Sequence, residues 1–257
     1  MKKLLAFDLD GTIAPSKSPA PDQITELMGQ LLARFHICVI SGGKFEQFKN
    51  QLLANLRCDP KLLSKLHIMP TCGTRYYQFD AKLSDWIRIY AEDFTPAEKA
   101  KIKAVLAAAA IELGLNKEKT YGEQIEDRDS QISWSALGQD IVDVLGEDGV
   151  KLKEAWDPDN TKKSKLRNLV APKLQQFEVR MGGTTTIDIT KQGIDKAYGM
   201  QKLMEQLDLS KTDILFFGDK LQEGGNDYPV KAMGIDSLEV SDWHDTVFAL
   251  EAIWHVS

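Results

Sequence analysis

The sequence predicts an α/β protein, a mostly parallel sheet with helices on both faces, interrupted by an α+β insert. Three observations carry this. Short apolar runs such as Ile37–Ile40, Leu66–Met69 and Ile214–Phe217 each end in glycine or polar residues, as strands of a sheet covered on both faces do. Between and after them lie stretches with apolar residues at helical spacing, such as Ile24, Leu27, Met28, Leu31 and Leu32. The middle of the chain has a different grammar, with paired strand signals and helices mixed.

In order, Leu4–Leu9 is a strand ending in carboxylates, and the Ile24–Leu32 pattern is a helix with one buried face. Ile37–Ile40 runs into Ser41-Gly42-Gly43, and a polar helical stretch separates it from Leu66–Met69 and Thr71-Cys72-Gly73. Thr95-Pro96-Ala97-Glu98 has the spacing of a capping box with proline at the first helical position, and the helix it opens stops near Gly114. Gln124–Leu137 reads as strand, turn and strand, with the turn near Asp129-Ser130, and a helix is expected around Lys162–Leu174. Phe177–Arg180 and Thr184–Ile189 read as paired strands joined by Gly182-Gly183. The α/β grammar then returns: a helix over Lys196–Leu207, a strand over Ile214–Phe217, a strand over Asp236–Val240 and a helix over Asp245–Trp254. The expected domains are a core of 1–82 and 188–257 and an insert of 83–187.

Composition narrows the function classes. With 43% hydrophobic and 27% charged residues, the 257-residue chain is an ordinary globular protein, neither disordered nor a disulfide scaffold. Lys and Arg number 32 against 38 Asp and Glu, so the net charge of −6 speaks against non-specific binding to nucleic acid or to an anionic membrane. Cys38, Cys58 and Cys72 are odd in number and form no C-x-x-C pair, which favours thiols in a reducing compartment. The basic start is not read as a leader, because Asp8 and Asp10 break its apolar stretch, and no apolar run approaches the roughly 18 residues of a membrane span. The expected location is the cytoplasm.

Four segments carry chemistry, each at an expected strand end or helix start, where open α/β sheets bind ligands. In Asp8-Leu9-Asp10-Gly11-Thr12 the two-residue repeat puts both carboxylates on one side of the strand, where they repel unless a cation or a proton intervenes. Hard oxygen ligands suit Mg²⁺. Ser41, Gly42 and Gly43 offer a hydroxyl and backbone N–H groups to a phosphate. Lys196 stands in the first turn of its helix, where the dipole disfavours a cation. Phe216–Asp227 leads from a buried strand into a Gly-Gly turn that carries Asp219, Asn226 and Asp227. Taken singly, these are an acidic turn, a βα turn, a surface lysine and a solvated loop.

Their order along the chain, D-x-D-G-T, then S-G, then K, then G-D-(x)6-N-D, resembles the haloacid-dehalogenase-like phosphotransferase superfamily. The place of the insert, between Ser41 and Lys196, is that of the cap in its type-IIB members. Within that branch Phe217–Asp227, Gly182–Lys196, Phe45-Glu46 and Glu126-Asp127-Arg128 are similar to the eukaryotic-type phosphomannomutases.

The resemblance implies a Rossmann-like core, a cap that closes over the site, and phosphoryl transfer through an aspartyl-phosphate. It makes Asp8 the nucleophile, Asp10 the acid and base, and Ser41, Gly42 and Lys196 the groups holding the transferring phosphate. It assigns Mg²⁺ to Asp8, the backbone carbonyl of Asp10, and Asp219, with Asp227 and Asn226 supporting. Arg128, Thr186 and Asp188 match substrate-contacting cap positions, and relatives pair through their caps, which implies a homodimer.

One departure bears on activity. The mutases hold the non-reacting phosphate with several cap arginines; Arg128 matches one, but Gln139 stands where the next is expected, and none aligns in the acidic stretch Asp140–Asp148. The expectation is therefore an Mg²⁺-dependent phosphatase of phosphorylated sugars. A phosphomannomutase-type enzyme is the alternative, and a catalytically silent sugar-phosphate-binding protein is a further one. His36 and His67 are read as packing or surface residues, Trp134 as sheet packing, and Cys72 as a small buried hydrophobe rather than a reactive thiol.

Overall fold

The computed structural model describes residues 2–257. In chain order the strands are β1 (Leu4–Phe7), β2 (His36–Ile40), β3 (Leu66–Met69), β4 (Arg75–Asp80), β5 (Asp85–Ala91), β6 (Ile125–Asp127), β7 (Ile132–Ser135), β8 (Phe177–Met181), β9 (Thr186–Lys191), β10 (Ile214–Gly218) and β11 (Asp236–Glu239). The helices are α1 (Asp22–Leu31), α2 (Phe45–Phe48), α3 (Pro96–Glu112), α4 (Ile141–Leu145), α5 (Glu147–Trp156), α6 (Thr161–Val170), α7 (Lys196–Leu207), α8 (Tyr228–Ala232) and α9 (Trp243–Val256).

The chain divides into two compact units, 1–91 with 195–257, and 92–194. Among the described residues the first holds a seven-stranded sheet ordered β11-β10-β1-β2-β3-β4-β5. Strands β11 through β3 are parallel, and β4 and β5 are added antiparallel at one edge. In β1, β2 and β3 the two-residue repeat sends alternate side chains to opposite faces. Leu5, Phe7, Ile37, Val39 and Ile68 pack with Ile24 and Met28 of α1 and Leu250 of α9. Leu4, Ala6, Cys38, Ile40 and Met69 pack with Met200 and Leu203 of α7. Burial on both faces explains why these strands read as nearly continuous apolar runs, with only His36 and His67 as polar members.

The second unit holds an antiparallel sheet ordered β6-β7-β9-β8. One face, including Ile132, Trp134, Ile187 and Val179, is buried with Ile102 and Leu106 of α3 and Leu166 of α6. The capping box that opens α3 forms as expected: Glu98 N–H donates to the Thr95 hydroxyl at 3.3 Å, and Thr95 N–H to Glu98 Oε2 at 2.7 Å.

The boundaries expected from sequence shift by several residues at each end. Residues 85–91 are β5, hydrogen-bonded to β4 in the first sheet, and 188–194 belong with β9 in the second unit. The hairpin β4–β5 gives only partial alternation in its burial, so its pattern did not announce a strand pair. Helices α4 and α5 were not foreseen either; Gly146, at φ +55°, separates them.

Candidate active site

Parallel register brings the first strand ends together. Phe7 pairs with Val39 of β2 and with Phe217 of β10, and Asp8 N–H donates to Phe217 O at 3.0 Å. The residues that follow, Asp8, Ser41 and Asp219, therefore leave the same edge of the sheet. Lys196 is the first residue of α7, whose N-cap, Asp195, accepts from Tyr198 N–H at 3.0 Å.

The Lys196 side chain is fully buried, and its ammonium lies 2.5 Å from Oδ1 of Asp8 and 2.5 Å from Oδ1 of Asp227. These two carboxylates compensate a cation that the helix dipole alone would reject. The other Asp227 oxygen accepts from Lys220 N–H at 3.1 Å. Asp219 completes the group: carboxylate oxygens of Asp8, Asp219 and Asp227 all lie within 4.8 Å of one another. Burial pushes the Asp8 carboxyl up to about 7 against the pull of Lys196, and Asp227 and Asp219 add to the rise. Asp219 is raised too, by burial first and by Asp227. Burial pulls the Lys196 ammonium down, but Asp227 and Asp8 together hold it above its ordinary value.

A divalent cation fits this set. Three carboxylates face one buried ammonium, and Asp219 Oδ1 is buried with no hydrogen-bond partner. Lys220, half-exposed, stands 3.6 Å from the other Asp219 oxygen. Gly11 is required beside it: its φ is +85°, and a Cβ there would lie 2.8 Å from Asp219 Oδ2.

Asp10 does not share the partners of Asp8. β1 ends at Phe7, so the two-residue repeat no longer governs the carboxylates beyond it. The Asp10 carboxylate accepts from Lys17 N–H at 2.7 Å, Gln47 Nε2 at 2.8 Å and Gln51 Nε2 at 3.0 Å. Sequence reasoning missed these partners. The signal was present, since residues four apart on a helical stretch share a face. Gln47 lies in α2, and Gln51 in the π-helical turn 49–53 that continues it.

Ser41 is buried at the end of β2, and its hydroxyl accepts from Gly43 N–H at 3.3 Å. Asn226 is exposed, one residue before the fully buried Asp227.

In the second unit, Arg128 is nearly buried and Arg128 Nε donates to Glu126 Oε2 at 2.7 Å, while Nη2 reaches Gln139 Oε1 at 3.5 Å. Register places Ser133 between Glu126 of β6 and Asp188 of β9, with Arg180 of β8 beyond. These polar side chains share the sheet face opposite the apolar core. Burial raises the Asp188 carboxyl, opposed by Arg128, Ser133 and Gln131. Thr186 and Asp188 crowd Gly182, where a Cβ would meet Asp188 Oδ2 at 2.2 Å and Thr186 Oγ1 at 2.4 Å, so only glycine fits. Trp134 is wholly buried and packs near Trp156, as expected of sheet packing. His36 and His67, far apart in sequence, are hydrogen-bonded to each other at 2.9 Å. Cys72 is only partly buried and has φ +55°, so it is not the core hydrophobe the sequence suggested.

A parallel sheet with an acidic cluster around a buried lysine at its strand ends, together with an inserted α+β unit, defines a haloacid dehalogenase-like fold of type IIB. Residues 5–229 match the haloacid dehalogenase-like hydrolase family, and the chain belongs to it. It is similar to phosphomannomutase 2 of Dictyostelium discoideum, 25% identical over 87% of this chain and 84% of that one, and to the phosphomannomutase of Encephalitozoon cuniculi, also 25% identical, over 89% and 84%. Among solved structures, a haloacid dehalogenase-like hydrolase from Bacteroides thetaiotaomicron superposes with a TM-score of 0.64 at 16% identity, covering 98% of this chain and all of that one. No helix among the described residues is long and apolar enough to cross a membrane.

Proposed function

We propose that the protein is an Mg²⁺-dependent phosphatase acting on phosphorylated sugars through an aspartyl-phosphate on Asp8. The family and the Asp8–Lys196–Asp227–Asp219 cluster support phosphoryl transfer. Mg²⁺ would be held by Asp8, the Asp10 carbonyl and Asp219, with Asp227 and Asn226 behind them, and when bound would neutralise phosphate charge.

Lys196 holds Oδ1 of Asp8, which leaves Oδ2 to attack phosphorus. The ester P–O bond breaks as the Asp8 O–P bond forms, and Asp10 gives its proton to the leaving oxygen. Water then attacks phosphorus, Asp10 takes a proton from it, and inorganic phosphate and the Asp8 carboxylate are released. Ser41, Gly42 and Lys196 hold the transferring phosphate. Arg128, Thr186 and Asp188 contact the sugar phosphate from the cap, and two copies pair through their caps.

Hydrolysis is favoured over the mutase reaction by one observation: the Arg128 guanidinium is already ion-paired with Glu126, and beside it, 3.5 Å away, stands the neutral Gln139 where a second arginine would add charge. A mutase must grip the distal phosphate in the cap, and a dianion taken from water needs compensating charge. The mutase reading keeps the support of the two phosphomannomutase relatives.

The test is a product assay on hexose 1- and 6-phosphates, with and without a hexose 1,6-bisphosphate. Free phosphate is the expected product. Bisphosphate-dependent conversion of mannose 1-phosphate to mannose 6-phosphate with little free phosphate would overturn the ranking. Full turnover of any phosphate ester by Asp8→Asn would overturn the mechanism.

A further inference from the structure

Thr71, Cys72 and Gly73, just past the end of β3, have φ of +50°, +55° and +83°. Three successive left-handed residues are uncommon, and a β-branched threonine among them is an outlier that the surroundings must enforce. The surroundings do so. Thr71 is buried, its hydroxyl lies 2.6 Å from that of Thr74, and Thr74 Oγ1 also donates to Thr71 O at 2.9 Å. On the far side the Tyr90 hydroxyl donates to Gly73 O at 2.8 Å.

The conformation turns two main-chain donors onto the neighbouring loop. Thr71 N–H donates to Gly43 O at 3.0 Å, and Cys72 N–H to Ser41 O at 2.9 Å. The arch also touches the helix that carries Lys196. A Cβ on Gly73 would lie 2.4 Å from Gly199 Cα, and one on Gly199 would lie 2.8 Å from Cys72 O. The next two N–H groups of the arch are spent on Pro70 O and Thr71 O, so each main-chain N–H of residues 71–74 is bonded within the protein.

We infer that the strained arch 71–74 is the positioning device of the phosphate site: it clamps the Ser41–Gly43 loop and seats α7 against it, with the Thr71–Thr74 hydroxyl pair and Tyr90 as its locks. This rests on the reading of Ser41, Gly42 and Lys196 as phosphate-holding groups. Thr71, Thr74 and Tyr90 act through the loop and touch no substrate.

The experiment measures binding of inorganic phosphate to the full chain with Mg²⁺ by calorimetry, alongside the melting temperature. Thr74→Val keeps the shape and removes both hydroxyl bonds, and should weaken phosphate binding about 3- to 10-fold. Thr74→Ser, which keeps the hydroxyl, should restore it. Tyr90→Phe, at a partly exposed position, should weaken binding in the same direction and serves if Thr74→Val does not fold. A lowered melting temperature with unchanged phosphate affinity in the folded variants would make the arch merely structural and overturn the inference. If the unaltered protein itself binds no phosphate, the reading of the loop falls, and the inference with it.

Discussion

The Lys196 ammonium lies 2.5 Å from Oδ1 of Asp8, and both side chains are almost wholly buried. Two groups separated by most of the chain thus form a pair that neither could hold alone in the interior.

Removing one member of such a pair leaves a buried charge uncompensated, at a typical cost of about 3–5 kcal/mol. Lys196→Met strands Asp8 and Asp227 beside Asp219. It is expected to lower stability by that order in urea titrations without added metal, and to abolish hydrolysis of an aryl phosphate. A variant as stable as the native chain would show that the carboxylates are not ionised around the lysine.

Gly11→Ala meets two penalties, a left-handed φ of +85° and a Cβ 2.8 Å from Asp219 Oδ2. A strained position costs about 1–3 kcal/mol. Beyond that loss, moving Asp219 should weaken activation by Mg²⁺. The check is the Mg²⁺ concentration that gives half-maximal hydrolysis, which should rise.

Stability should depend on pH through His67. It is fully buried, hydrogen-bonded to His36 and to Tyr76, and burial first, then His36, lowers its pKa from 6.5 to about 3. Below pH 6.5 the unfolded chain takes up a proton that the native imidazole refuses, so stability is full above that pH and is lost as pH falls from 6.5 toward 3. At pH 5 the loss is about 2 kcal/mol. Asp8, pushed up to about 7, acts in the opposite direction over this range, so the measurement is the stability difference between the native chain and His67→Phe by denaturant unfolding at pH 8 and at pH 5: the native chain should lose about 2 kcal/mol relative to the variant on going to pH 5.

Gln139→Arg adds a second guanidinium beside Arg128, which now faces Glu126 and Gln139. One charge-assisted contact regained is about 1.5–3 kcal/mol. The variant should hold a distal phosphate better and shift product from free phosphate toward the isomeric hexose phosphate. An unchanged ratio would separate the cap's charge from the partition.

The sequence determined what is local or repetitive. Apolar runs of β1, β2, β3 and β10 were legible because burial on both faces leaves them almost wholly apolar, His36 and His67 apart, and the Thr95–Glu98 box because a helix start is written in four residues. The order of the four motifs placed Asp8, Ser41, Lys196 and Asp219 at strand ends and a helix start; register delivers Asp8, Ser41 and Asp219 to one edge, and the start of α7 brings Lys196 to Asp8.

Tertiary structure alone decided the rest. Asp8 and Asp10, two residues apart, part company because the strand ends between Phe7 and Gly11 and different elements offer their partners: Lys196 for one, Gln47 and Gln51 for the other. His36 and His67 looked solitary because only the parallel pairing of β2 with β3 makes them neighbours. The left-handed arch at Thr71 and Cys72 carries no local sequence signal, since neither residue favours that conformation. It exists because hydrogen bonds outweigh its strain: within the arch to Thr74, from its N–H groups to the carbonyls of Ser41 and Gly43, and from the Tyr90 hydroxyl, so that its outside partners come from two distant stretches, the 41–43 loop and β5.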